Sequence, residues 1–507
     1  VSKLAQIGCA SIEEATMNRK SLTRRGLLQG MGAGAAATLT TAALPFRAMS
    51  AGPAVISPVT AKLAAYMSEA REHALPADVV ENAKYHILDT FAAMISGADL
   101  PPGRIALKFA AAHRGETVAT VAVSNIVCGP LEAAMANGML AHSDETDDSH
   151  APSHSHPGCA TIPAALAAGE QFGISGTHFL RAVTLGYDVG TRVTLTLGAL
   201  KYQMESHRSS HSIAENFCAA AAAGCAASLD PRQMRFILDY TSQQASGIAA
   251  WERDTEHIEK SLVFAGHPAR NGVSAALLIQ IGGTGVEDIF AGTDNFLLAF
   301  QPKADPKGLI DQLGERFAVT STNIKKWTVG SPIQAPLDAI ENMRKKHPFE
   351  AAQVEKIRVR VSSSEANTVN NREMPDICLQ HMVAVMLLDK TASFAAAHDK
   401  PRMQDPAVLK ERAKVDLVFD EELEKLIPRR ETIVEVKLTD GTELTERVEA
   451  VRGTSDNPMT RDEVAAKARD LIAPSLGAAK ADKLVATVWN IEAVKNIREL
   501  RPLLQKS

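Results

Sequence analysis

The run FCAAAAAGCAASL at 217–229 consists almost wholly of alanine, glycine and cysteine. Alanine favours helix, but a helix of such small residues has little apolar area of its own. Its gain lies in letting neighbouring helices approach closely, so it reads as a central, buried element. PAALAAGEQFG at 163–173 has the same character. Aromatic residues are only 5% of the chain, and this composition favours closely packed helices over a β-sandwich. A length of 507 residues is long for one domain and comfortable for two. The formal charge of −5 supplies no basic field for nucleic acid. No apolar run in the body of the chain is long enough to span a bilayer.

From about 56 to 300 the apolar pattern is helical. Val80, Ala83, Ile87, Phe91 and Met94 recur at helical spacing before Gly97, Pro101 and Pro102 end the run. Past 320 the period changes. Ile357, Val359 and Val361 alternate with charged residues, as do Val415, Leu417 and Phe419 with their neighbours, and Asp440-Gly441 marks a hairpin. TRDEVAAKARDLI is helical again, with Thr460 as its cap. The expected fold is therefore mainly α. A large all-α helical domain spans 52–320, an inserted smaller α+β lid domain spans 321–453, and 454–507 return to the helical domain. Clefts between such parts are the usual place for small-molecule sites.

The N-terminal stretch stands apart. Arg24 and Arg25, then a mildly apolar Ala/Gly/Thr run, then small residues around 48–51 form the layout of a twin-arginine export signal. Residues 1–51 are set aside from the fold on that ground. The expected destination is the periplasm, or the cytoplasm where the signal is not used. Five cysteines remain beyond it, Cys128, Cys159, Cys218, Cys225 and Cys378. The odd number and the lack of CxxC spacing argue against a disulfide framework or structural zinc.

HSDETDDSHAPSHSHPG, from His142 to Gly158, packs four histidines and four acidic residues into seventeen positions. Three readings are open: a metal site, a proton-transfer site, or a hydrated loop. His, Asp and Glu are good metal ligands, but the histidine pair of HExxH is missing. Helical sequence on both sides would hold the loop rigidly, as proton-transfer groups require.

AHSDETDDSHAPSHSHPG resembles the hallmark of the MmgE/PrpD family, A-H-x-L-D-F-D-D-T-H followed by H-P-S/G. LGYDVGTRV, GHPARNGVSAALL and KKWTVGSPIQAPLDA resemble further segments of that family in the same order. The resemblance implies a helical domain with an α+β lid, a homodimer, and an enzyme that needs no metal or other cofactor. It implies His156 as the histidine of H-P, with Glu145, Asp147, Asp148 and Ser149 at the acidic and hydroxyl positions. Lys325 and Lys260 fall on or near the family's lysines, with Phe264 where a histidine is usual. The family's second histidine falls on Ser209, so His211 or His207 is left to supply an imidazole. Gln334 and Thr368 stand where histidine and tyrosine are common. Beside Trp251 and His257, Arg253 is a candidate for binding a substrate carboxylate, as are Arg208 and Arg270, since guanidinium matches carboxylate bidentately.

The catalytic set so expected is His156, Lys325, Glu145, Asp147, Ser149, His211 and Lys260. The substrate-binding set is Arg208, Arg253, Arg270 and Ser209. The expected activity is a lyase acting on a small polycarboxylate by proton abstraction next to a carboxylate, with dehydration ahead of epimerisation or decarboxylation. A metal-dependent hydrolase and a non-catalytic carboxylate-binding protein are the alternatives from other classes. The four carboxylates near His156 favour its charged form, and Lys325 opposes it.

Overall fold

The computed structural model describes residues 55–506; the export segment expected at 1–51 lies outside them. The described chain is mainly helical with one small mixed sheet. Its centre is the helix Ser210–Ala226, in which every residue is buried. The helices Gly176–Leu197, His267–Gln280 and Pro157–Phe172 pack directly on it. The small-residue runs thus do what their composition dictates: they let four backbones crowd together with few bulky side chains between them.

The apolar interior forms two cores. One draws on residues from Leu63 to Ile324 and again from Met459 to Leu504. The other runs from Trp327 to Val451. In the second, the strands Val415–Asp420, Val354–Ser362, Thr432–Leu438 and Glu443–Val448 lie in that spatial order. The first pair is parallel and the others antiparallel. The hairpin expected at Asp440-Gly441 joins the last two, with Gly441 at φ 89°. Helices Ser331–Lys346 and Leu379–Asp389 cover this sheet's apolar side.

The first helix after the second core, Arg461–Leu476, packs on the helix Ala77–Ser96. Thr460 caps it through a reciprocal capping box with Glu463. The chain crosses between the cores twice at one place. Ile324 N–H donates to Gly453 O at 2.9 Å. Gly453 has φ +98°, and a Cβ there would collide with Ile324 O, so only glycine permits this contact. Asn323 and Ser149 exchange backbone hydrogen bonds beside it. Among the described residues no helix is long and apolar enough to cross a membrane, and all five cysteines are buried and unpaired.

Candidate active site

The histidine- and acid-rich stretch joins the helices Pro130–Ala141 and Pro157–Phe172. It is not a hydrated loop. Every residue from Ala141 to His150 is buried, with Glu145 at 3% exposure and Asp147 and Asp148 at 0%. Buried carboxylates require partners, and each one here has them.

Asp148 braces the loop from behind. Its Oδ1 accepts from Gly158 N–H at 3.0 Å, while Oδ2 takes the Tyr187 hydroxyl and lies 2.8 Å from His86 Nδ1. A Cβ on Gly158 would meet Tyr187 Oη and Asp148 Oδ2 at 2.6 and 2.7 Å, so glycine is needed for this approach. His156 N–H donates to Glu215 Oε1 at 2.6 Å. Burial pushes the Glu215 carboxyl well above its ordinary range, only partly offset by that donor.

Asp147 and Glu145 face forward. Asp147 Oδ2 lies 2.9 Å from His142 Nδ1 and 3.4 Å from His156 Nδ1, and its Oδ1 lies 3.8 Å from Lys325 Nζ. Glu145 Oε1 takes Lys260 Nζ directly, and its Oε2 lies 3.5 Å from Lys325 Nζ. Burial would raise the Glu145 carboxyl, but Lys260, Lys325 and His257 hold it well below the ordinary range. Asp147 is likewise held well below its range, by His142, His156 and Lys325 against burial.

Burial, and not the carboxylates, decides the state of His156. Its pKa is lowered because desolvation outweighs Asp147, with Lys325 adding to the fall. The expectation of a charge-favouring site is thus corrected: the imidazole is neutral near pH 7, and its free form is a base. His211 is pushed well below its ordinary value by burial and by His154 and His156, and His257 by burial and Lys260.

A cavity of about 560 Å³ brings four of the seven expected catalytic residues together. Glu145, His156, His211 and Lys260 line it from the first core, and Thr368, Arg372 and Arg430 from the second. Lys325 and Ser149 line a neighbouring space of about 190 Å³ that also touches Arg430. The His211 ring stacks on Phe264, with centroids 4.3 Å apart, and Phe264 in turn stacks on His142 at 4.9 Å. Phe264 therefore serves as the flat spacer that sets two imidazoles. His154, absent from the expected set, stands 4.4 Å from His211 and takes a left-handed φ of 52°.

The expected substrate-binding residues are not gathered there. Arg253 sits at the cavity's exposed rim. The Arg208 guanidinium lies over the Phe300 ring at 4.4 Å, and neither Arg208 nor Arg270 lines the cavity. Arg270 is exposed on the helix His267–Gln280. Ser209 caps the helix Ser210–Ala226 and accepts from Trp251 Nε1 at 3.2 Å, a positioning contact. His207 is exposed. Gln334 is spent on the backbone of Trp327 and Val329.

Among the described residues, two sets have donor atoms within 4.8 Å of one another, His142 with Glu145 and His257, and His142 with Asp147 and Cys159. Neither suits a divalent cation. Glu145 already carries two lysine ammoniums, and burial keeps the Cys159 thiol well above its ordinary pKa, away from the thiolate that binds metal.

A further contact ties the loop to the second core: Asp144 Oδ2 lies 2.9 Å from His398 Nε2. Burial lowers the His398 pKa, but Asp144 more than offsets this, and Asp376 adds to the rise, to about 9. A value raised above the unfolded one of about 6.5 stabilises below pH 6.5 and is lost as pH climbs through 9. The shift corresponds to on the order of 3 kcal/mol. Thermal melts should show stability falling between pH 7 and 9.5, and His398→Asn should flatten that slope. An unchanged slope in the variant would place the titration elsewhere.

Comparison with known proteins follows this geometry. Residues 61–309 match the MmgE/PrpD N-terminal domain, and 327–492 match the MmgE/PrpD C-terminal domain. The chain belongs to the MmgE/PrpD family. It is 26% identical to the cis-aconitate decarboxylase-like protein oryM of Aspergillus oryzae, over 88% of this chain and 97% of that protein. It is 24% identical to a cis-aconitate decarboxylase of Aspergillus terreus, over 88% of this chain and 96% of that protein.

Proposed function

We propose that this chain is a cofactor-independent lyase of a small polycarboxylate, with decarboxylation of an unsaturated tricarboxylate as its first reading. The observation that carries it is the convergence of a neutral His156, backed by Asp147, with the Lys260 and Lys325 ammoniums around buried Glu145. When a carbon–carboxylate bond breaks, CO₂ leaves and the electron pair stays on the carbon skeleton as a carbanion-like charge. Two fixed ammoniums stabilise that charge in a low-dielectric site. A proton then reaches carbon: His156, neutral at rest, takes it from solvent and passes it on, as a positioned imidazole can. The names of the two Aspergillus relatives favour this outcome over dehydration.

Dehydration is the second reading, because proton abstraction followed by loss of hydroxide can use the same groups. In both, residues 321–453 are proposed as a lid, since the cavity is walled by both cores.

The test is to incubate the protein with di- and tricarboxylic acids in D₂O and follow carbon-bound deuterium and released CO₂. Deuterated product with stoichiometric CO₂ supports decarboxylation, and deuterium or water loss without CO₂ supports the second reading. Neither signal with any acid overturns both. Activity should survive exhaustive chelation. Activity lost to a chelator and restored by zinc or iron would put a metal in the reaction.

A further inference from the structure

Among the described cations on the cavity wall, one is both sheltered from solvent and only lightly held. Lys260 is held by Glu145. Arg372 donates to the carbonyls of Thr368 and Glu252. Lys201 faces Glu205 at 3.8 Å, with its side chain 81% exposed. Arg253 stands at the exposed rim. Arg430 differs from all of these. Its side chain is 26% exposed, and its one polar contact among the described residues is Glu365 Oε1, 3.5 Å from Nε. It makes no hydrogen bond there, although guanidinium offers five donors in a fixed fork. Glu365 is itself buried, and Oε1 has no hydrogen-bond partner. Arg430 is supplied by the second core and lines both cavities, sharing the larger with Lys260 and Glu145 and the smaller with Lys325.

We propose that Arg430 is the specificity-determining residue of this site, receiving the substrate carboxylate most remote from the reacting carbon. This rests on the reading of the cavity as a polycarboxylate lyase site. Lys260 and Lys325, both held to Glu145, keep the charge at the reacting carbon, and Arg430, held only by Glu365, takes the second carboxylate. Glu365 anchors Nε while the remaining donors stay free for a bidentate bond. His154 lines the larger cavity with Arg430 and is kept neutral: burial, then Arg430, lower its pKa to about 3. It can therefore donate or accept a hydrogen bond without repelling the anion. The favoured substrate is long enough to bridge the cavity and carries carboxylates at both ends, and the acid is discriminated by length and charge.

The experiment is calorimetric binding of two unreactive probes to the full chain. Propane-1,2,3-tricarboxylate can reach both ends. Propanedioate, whose carboxylates share one carbon, cannot. Arg430→Met should weaken tricarboxylate binding about 10–100-fold, the worth of a charge-assisted hydrogen bond or two. Propanedioate affinity should change by less than about threefold, within the scatter of a surface substitution, and Arg430→Lys should fall between. The double variant Arg430→Met, Glu365→Gln removes the orphaned carboxylate and should show the same tricarboxylate loss. Equal losses for both probes, no loss, or recovery in the double variant each overturn the assignment to Arg430. If the wild-type chain binds neither probe, the polycarboxylate reading itself fails, and this inference with it.

Discussion

His156→Gln lowers kcat by about 10²–10⁴-fold, the usual worth of a positioned acid–base group, while substrate binding and the melting temperature change little. The residue sits directly before Pro157, whose ring restrains the backbone. Glu215 holds its backbone N–H, and Asp147 faces its Nδ1. The ring is therefore placed from three sides, which leaves Nε2 as the nitrogen for the cavity. Burial keeps it neutral, so it first takes up a proton, from solvent in decarboxylation or from the substrate carbon in dehydration, and Asp147 stabilises the imidazolium that forms. Glutamine preserves bulk and polarity but cannot take the proton. The check is steady-state kinetics beside a thermal melt on the same preparation. Near-normal kcat would make His156 a structural histidine, and so would an unfolded variant.

Glu145→Gln destabilises the fold by about 3 kcal/mol at pH 7, at the lower end for breaking a buried ion pair, because Asp147 still faces Lys325. The amide fits the space, so the loss is electrostatic: two ammoniums remain in a site where Glu145 is 3% exposed. Urea unfolding measures it, and adding Lys260→Met should recover most of the loss, as a double-mutant cycle reads. The pH sense is fixed by the depressed Glu145 pKa. Its contribution is present above the ordinary carboxylate range and disappears as pH falls through the native value. A loss under about 1 kcal/mol would mean that the pair behaves as a solvent-screened one.

Much of the fold was legible in local pattern. The period change near 320, the hairpin at Asp440-Gly441 and the Thr460 cap depend on neighbours within a few residues, so the chain states them directly. The loop from His142 to His156 was legible because its chemistry is contiguous. What was not legible is whatever depends on meeting across the fold. His142 lay inside the stretch but showed its role only through Asp147, five residues on, once the turn between them closed. His257 and Trp251 were visible as residue types but not as neighbours of Glu145 and His211. Arg430 carried no signal: it is one of a pair of arginines in a strand-flanking turn, and only the approach of the second core gives it meaning. Two of the three arginine candidates lie away from the cavity for the same reason. Arg208 and Arg270 were chosen because guanidinium matches carboxylate, and residue type alone does not say which side chains look into the cavity.

Lys325 lies one residue beyond Ile324, whose N–H is clasped to Gly453, and two residues before Trp327, the first residue of the second core. It therefore stands almost on the pivot about which one core could turn relative to the other. A rotation there moves points in proportion to their distance from the pivot. The Lys325 ammonium would keep its hold on the acidic pair while Arg430 swept a longer arc. If the second core does turn, the reacting end would stay fixed like the fulcrum of a pair of tongs, and the proposed recognising end would open with the jaws. Sequence drift that alters reach or angle in the second core can then retune which acid is grasped without disturbing the chemistry performed on it.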